Sequence, residues 1–187
     1  MRAVRFIAVA LFLLLIPTPE VCADIRLPAI FGDHMVLQQD TAVTIWGWGS
    51  PGESVEVSTT WGGGASATAD KRRRWSLRLT TPPADGRPHT VTVSGNTVVT
   101  LKDVWLGEVW LCSGQSNMEM PVGNKGGGYK GVKNYEAELE NADDPGIRLF
   151  TVRNTLSAAN RIDTTGSWFL SDAKSAHDFS AVGFSSV

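Results

Sequence analysis

The residue types best suited to chemistry lie together in Ser113-Gly114-Gln115-Ser116-Asn117-Met118-Glu119-Met120. Ser116 follows the continuous apolar run Val109-Trp110-Leu111-Cys112 and precedes a loop rich in glycine, with Gly123, Gly126, Gly127, Gly128 and Gly131. A serine between a buried strand and a helix start sits at the carboxyl end of the strand, where the crevice of an open α/β sheet lies. Gly114 would permit a tight turn there. The Ser116 N–H, near a helix start, would point outward at a developing negative charge. Spacing alone is a weak signal, because most serines in polar turns cap helices or satisfy backbone groups. A hydroxyl also becomes an effective nucleophile only when a base takes its proton.

The elements that must hold this segment come in two styles. Residues 25–101 form short runs rich in β-branched and aromatic residues, with candidate strands at 35–38, 42–48, 54–60, 65–69, 75–79, 90–94 and 97–101. Turn signals separate them at Ser50-Pro51-Gly52-Glu53, Gly62-Gly63-Gly64, Pro83-Ala84-Asp85-Gly86 and Ser94-Gly95-Asn96. That spacing predicts an all-β sandwich. After Leu101 the pattern changes, since Val109 to Cys112 is continuously apolar, as expected of a strand covered on both faces. Residues 134–141 interleave Tyr135, Ala137 and Leu139 with Glu136, Glu138 and Glu140, which fits a short helix and also a period of two. Asp144-Pro145-Gly146 reads as a stop, and Ile147-Arg148-Leu149-Phe150-Thr151-Val152 as a second strand. Strand, turn, helical crossover and strand predict a βαβ unit with parallel strands. A further helix is expected to open near Phe179-Ser180-Ala181-Val182-Gly183, capped by Asp178 or Ser180. Two strands and one crossover cannot bury both faces of a parallel sheet, so this second part is expected to be the truncated start of an α/β domain.

Composition narrows the classes. Residues 1–23 place Arg2 and Arg5 before the apolar run from Phe6 to Ile16, then Pro17, Pro19 and the small ending Val21-Cys22-Ala23, the order of a cleavable secretory signal. An uncleaved anchor and a lipid-modified Cys22 are the lesser readings. The expected location is secreted, periplasmic or otherwise extracytoplasmic, with no membrane attachment after cleavage. Removing 1–23 takes away Arg2, Arg5 and Glu20 and moves the formal charge from −2 to −3. A mildly acidic exported chain has no electrostatic footprint for nucleic acid. The dense basic run Lys71-Arg72-Arg73-Arg74 reads as a solvated turn. Only Cys112 remains after processing, which excludes an intramolecular disulfide and leaves the fold to be held by burial.

The stretch from Gly107 through Val109-Trp110-Leu111-Cys112-Ser113-Gly114-Gln115-Ser116-Asn117-Met118-Glu119-Met120 to Pro121 resembles the first block of the sialate O-acetylesterases, members of the SGNH hydrolase superfamily. Upstream, Leu27-Pro28-Ala29-Ile30-Phe31-Gly32-Asp33-His34-Met35-Val36-Leu37-Gln38 and Val43-Thr44-Ile45-Trp46-Gly47-Trp48 resemble the opening of that family's β-domain. The resemblance implies a signal peptide at 1–23, a β-sandwich domain at 24–102, and the N-terminal part of an SGNH (flavodoxin-like) hydrolase domain at 103–187. It implies that Ser116 attacks an acetyl carbonyl of an O-acetylated carbohydrate, sialic acids by analogy, and that its backbone N–H contributes to the oxyanion hole. Gln115 and Asn117 match the motif as oxyanion or positioning residues. In such hydrolases a His, with an Asp two or three residues before it, is the general base and follows in a later block. A Gly and an Asn from intervening blocks complete the oxyanion hole, and none of these blocks occurs here. Where the family continues an aromatic-rich helix, this sequence has Phe184-Ser185-Ser186-Val187. The expectation is therefore an incomplete chain without activity of its own. A non-catalytic secreted β-sandwich module that binds glycan or protein is the competing reading.

Other residues invite a role. The three histidines, His34, His89 and His177, fit structural or surface positions better than that of a base. Trp46 and Trp48 share one strand face, where exposed aromatics stack on sugars, but core packing is the expected use. Trp61, beside three glycines, is expected to be more exposed. Glu119 fits a helix-start acid better than a catalytic one. Asp143-Asp144 lack convergent partners for calcium, so neither metal nor cofactor is expected. Neither the exact substrate nor the oligomeric state can be read.

Overall fold

The computed structural model describes residues 24–128 and 130–184. The leader expected at 1–23 lies outside the described residues. Nine strands are present among them: β1 Val36–Gln38, β2 Thr41–Trp48, β3 Ser54–Thr59, β4 Gly64–Thr68, β5 Arg74–Thr81, β6 His89–Ser94, β7 Val98–Gly107, β8 Asp144–Phe150 and β9 Trp168–Ser171. The helices are short: α1 Tyr135–Glu140, α2 Ala173–His177 and α3 Ala181–Phe184. The first seven strands fall where the alternation predicts them, although β7 runs six residues further, to Gly107.

Those seven strands make two sheets, one with the order β1-β7-β6-β3-β4 and one pairing β2 with β5. All pairs are antiparallel except β1 with β7, where Val36 lies beside Trp105 in parallel register. Alternation sets which side chains go inside. In β5 the inward set is Trp75, Leu77, Leu79 and Thr81, and the outward set is exposed. Ile45 of β2 and Leu79 of β5 join Val55, Val57, Val93 and Val104 of the larger sheet in one apolar cluster. Each fully buried Val or Leu contributes about 1.5–3 kcal/mol relative to exposure, so this cluster is what holds the region together.

Two local devices tighten it. A Cβ on Gly47 would lie 2.5 Å from the Arg26 carbonyl oxygen and 2.8 Å from Trp75 Cζ2, so only glycine lets the indole and the 26–48 bridge approach β2 together. Glu53, 7 % exposed, accepts hydrogen bonds from the N–H groups of Ser50 at 2.6 Å and Asn96 at 2.7 Å, joining two turns that are far apart in sequence.

The tryptophans of β2 depart from expectation. Ile45 and Gly47 are buried, which puts Trp46 and Trp48 on the opposite face, half-buried and outside the core. Trp46 meets the Phe31 ring edge-on at 4.7 Å, and Arg26 lies over the Trp48 ring at 4.0 Å. Parity along the strand decides this, and the larger side chains are on the outer side. Trp61, expected to be exposed, is half-buried against the core and meets the His89 ring edge-on.

The second part differs more. β8 pairs with β9, and the pairing is antiparallel, so the parallel βαβ arrangement expected here is not what the described residues form. Pro145 and Gly146 fall inside β8 where its register shifts, a bulge and not a stop. Residues 109–112, expected to be a buried strand, pair with no strand among the described residues. Ala142, Leu149 and Ala176 form a small separate cluster with Leu139, Ile147, Phe179 and Phe184 around it. α1 lies where it was expected; α2, capped by Asp172 through a reciprocal hydrogen-bond pair with Ser175, was not anticipated.

Glu53→Ala leaves two backbone donors without their acceptor. We expect it to lower unfolding free energy by about 1–3 kcal/mol for each group left unsatisfied. Urea denaturation should show a lower midpoint with an unchanged slope; a wild-type midpoint would show that water replaces the carboxylate without cost.

Candidate functional site

The approach to Ser116 is set where β1 and β7 end side by side. Gln38 Nε2 donates to Glu108 Oε2 at 3.0 Å and Gln39 Nε2 to Glu108 Oε1 at 2.9 Å. The Val109 N–H donates to Gln38 Oε1 at 2.9 Å. These side-chain amides replace ladder bonds just past the last strand pair. Hydrogen bonds from Gln38 and then Gln39 hold the Glu108 carboxyl below its usual range. Beyond this clamp the run 109–112 pairs with no strand among the described residues, and Leu111 is 90 % exposed.

The chain then closes into a short 3-10 turn, Ser116–Glu119, in which Met118 N–H donates to Gln115 O and Met120 N–H to Asn117 O. Gly114 adopts no left-handed backbone; a Cβ there would sit 3.1 Å from Met118 Cγ, so its use is close approach. The turn is tied on both sides. Asn154 Nδ2 donates to Glu119 Oε1 at 2.6 Å, and Met120 O accepts from Ala181 N–H at 2.8 Å. The same strip continues with Val122 N–H to Phe179 O and Gly123 N–H to His177 O. Ser116, Gln115 and Asn117 are all exposed. Among the described residues the Ser116 hydroxyl has no hydrogen-bond partner, and its N–H lies ahead of the first bond of the turn.

Each histidine has a carboxylate partner, and among the described residues none is hydrogen-bonded to Ser116. His89 is buried, with Nε2 3.0 Å from Asp85 Oδ1 and Nδ1 3.3 Å from Thr60 Oγ1. His177 pairs with Asp178 at 2.8 Å, and its ring packs against Gly123 where no Cβ would fit. His34 Nδ1 meets Asp103 Oδ2 at 2.6 Å. Asp103 also accepts from Trp105 Nε1 at 2.7 Å and lies 3.4 Å from the Arg148 guanidinium, whose side chain is 3 % exposed. Both His34 (φ 67°) and Asp103 (φ 52°) occupy the left-handed region, uncommon for residues with a Cβ. This cluster joins β7 to β8 and so links the β region to the part that carries Asn154. Asp144 Oδ1 accepts the Gly146 N–H at 2.7 Å within the β8 bulge.

No protein-family model matches the chain. Curated relatives do match. It is 31 % identical to the sialate O-acetylesterase of Mus musculus over 139 residues, 68 % of this chain and 24 % of that protein. It is 36 % identical to the sialate O-acetylesterase of Homo sapiens over 108 residues, 52 % of this chain and 20 % of that protein. Among solved structures, a carbohydrate acetylesterase from Xanthomonas citri superposes with a TM-score of 0.76 at 32 % identity, covering 86 % of this chain and 36 % of that one.

The chain belongs to the sialate O-acetylesterase family. It spans about a quarter of the length of the curated relatives it matches. Within this family member, the clamp of Gln38 and Gln39 on Glu108 and the Asn154–Glu119 tie were not anticipated from the sequence. Polar residues at a strand end or in a loop carry no periodic signal, and their partners are 35 or more positions away.

The Asp103 cluster yields a pH prediction. Partial burial pushes its carboxyl up, but hydrogen bonds from His34 and Trp105 and the positive charges of Arg148 and His34 outweigh this and leave it below its usual value. A depressed carboxyl stabilises the fold above the unfolded value of ~3.9 and loses that contribution as pH falls through the lower folded value. Asp103→Asn, which tolerates the left-handed backbone, should lower Tm above about pH 4 and flatten the acid limb of the Tm–pH curve. Parallel curves for the two proteins would rule out this role.

Proposed function

We propose that Ser116 is the nucleophile of a secreted carbohydrate esterase that removes O-acetyl groups from sugars, sialic acids among them by family analogy. The observation that carries the reading is an exposed Ser116 at the head of a tethered turn, in a chain related to sialate O-acetylesterases and to a carbohydrate acetylesterase. On this reading Ser116 Oγ bonds to the acetyl carbonyl carbon while its proton passes to a base. The sugar oxygen leaves with a proton, and water then releases acetate from the acyl-enzyme. The Ser116 N–H faces the oxyanion, and Gln115 and Asn117 flank it as oxyanion or positioning groups.

Among the described residues no histidine is hydrogen-bonded to Ser116, so on this reading the base reaches it from elsewhere in the protein. The architecture proposed with it is a β-sandwich domain at 24–102 followed by the first part of an SGNH-type α/β domain at 103–187. In that domain residues 109–112 become a strand once flanked by neighbours. The leader at 1–23 directs the protein out of the cytoplasm.

For the 187-residue chain, p-nitrophenyl acetate turnover should not exceed that of its Ser116→Ala variant. In a longer gene product containing this chain, the same substitution should lower kcat by on the order of 10³-fold or more. Equal rates in that product would sink the nucleophile assignment and favour a non-catalytic module. Ser116-dependent turnover by the 187-residue chain would show that a base lies within it.

A further inference from the structure

The basic run read as a solvated turn has neighbours that the sequence does not reveal. Asp70 Oδ1 accepts the N–H groups of Arg72 at 2.8 Å and Arg74 at 2.9 Å, and Asp70 O accepts from Arg73 N–H, so the turn is stiff. Arg73 sits at φ 65°, in the left-handed region. Its carbonyl accepts the Gly49 N–H at 3.1 Å, and Trp48 exchanges two backbone hydrogen bonds with Arg26 at 2.8 and 3.0 Å. Three adjacent backbone segments therefore bring Arg26, Trp48, Arg72 and Arg73 to one corner of the β region.

This corner is concave. Asp24, Arg26, Trp48, Gly49, Arg72 and Arg73 line an open hollow of about 310 Å³. A second hollow of about 470 Å³, on Trp46, Thr68, Ser76 and Ile162, shares the same turn through Asp70 and Arg74. Trp46 and Trp48, two residues apart on one face of β2, each line one hollow.

Of this lining Arg26, Arg72 and Arg73 are basic and Asp24 is acidic. The Asp70 carboxylate is taken up by the turn, and Arg26 pairs with Asp163 at 3.5 Å. Arg72 and Arg73 are exposed and form no ion pair or side-chain hydrogen bond among the described residues. Arg72 and Arg73, exposed beside two indoles in adjoining hollows, suit a ligand that has both carboxylates and flat apolar ring faces. Guanidinium matches carboxylate geometry, and an indole supplies a rigid amphipathic contact. We infer that this corner binds an acidic oligosaccharide, with Arg72 and Arg73 taking its carboxylates, Trp46 a ring face, and Trp48, stacked beneath Arg26, forming the wall of the hollow. The site is separate from Ser116 and stands whether or not Ser116 is catalytic.

The test is titration of the full chain with a galacturonate hexamer, followed by 15N NMR of the indole N–H signals and by calorimetry. The expected result is saturable binding that shifts the Trp48 and Trp46 indole signals and weakens severalfold as salt rises from about 0.02 to 0.3 M. A neutral galactan hexamer should shift neither signal. The double variant Arg72→Gln, Arg73→Asn should bind about tenfold or more weakly at an unchanged unfolding midpoint, since it removes two charge-assisted contacts from exposed side chains. No binding of the galacturonate hexamer, equal binding of the neutral one, or an undiminished affinity in the double variant would each overturn the inference. So would inorganic sulfate binding as tightly as the oligosaccharide. Binding to phosphatidylglycerol vesicles without oligosaccharide binding would assign the patch to a membrane surface and overturn it equally.

Discussion

Leu79 and Val57, from different sheets, are both fully removed from water, and they are so because each sheet has one apolar face and only the other sheet to cover it. That constraint orders the β region. It fixes the parity of β2 and β5, and with it which residues face outward. It requires Gly47, since any side chain there would separate Arg26 and Trp75 from the strand. It also brings β1 and β7 alongside each other, so that Gln38 and Gly107 finish at the same level. The clamp on Glu108 is possible only because of that shared end.

The β region was legible because its strands are wet on one side, and one-sided wetting writes a period of two into the sequence. Trp75, Leu77 and Leu79 alternate with Arg74, Ser76 and Arg78, and no partner need be known to read them. Trp46 and Trp48 show how this reading fails. Their shared face was evident, but not that it is the outer one. Ile45 and Gly47 look like the lesser residues, and burial went to them because β5 places Leu77 and Trp75 opposite them.

Residues 109–112 were misplaced for the opposite reason. A continuous apolar run is the mark of a strand covered on both sides, and it specifies cover without specifying where the cover comes from. Among the described residues no strand pairs with it, and Leu111 is left in the open. Bulge and register in β8 were likewise unreadable, as they depend on β9 some 20 residues away. The Ser116 motif was legible as a string, whereas its ties were not. Asn154 has no pattern around it that points to Glu119, and a left-handed aspartate at 103 looks in the sequence like any other polar residue near a strand end.

The Ser116 turn is held by polar ties and not by a core. Gln115 and Asn117 carbonyls close it, Asn154 holds Glu119, and the strip from Met120 to Gly123 hydrogen-bonds to residues 177–181. A hydrogen bond of this kind nets only ~0.5–1.5 kcal/mol, yet it is directional. Such ties position a hydroxyl without enclosing it. Enclosure is what Val109, Trp110 and Leu111 still lack, and apolar area left in water is worth about 25 cal/mol per Å² to any surface that covers it. The turn thus has its geometry before its cover. Under the proposed function, cover and base would arrive together, since a strand that buries Leu111 also brings neighbouring loops to the carboxyl end of the sheet, where a base would have to stand to reach Ser116.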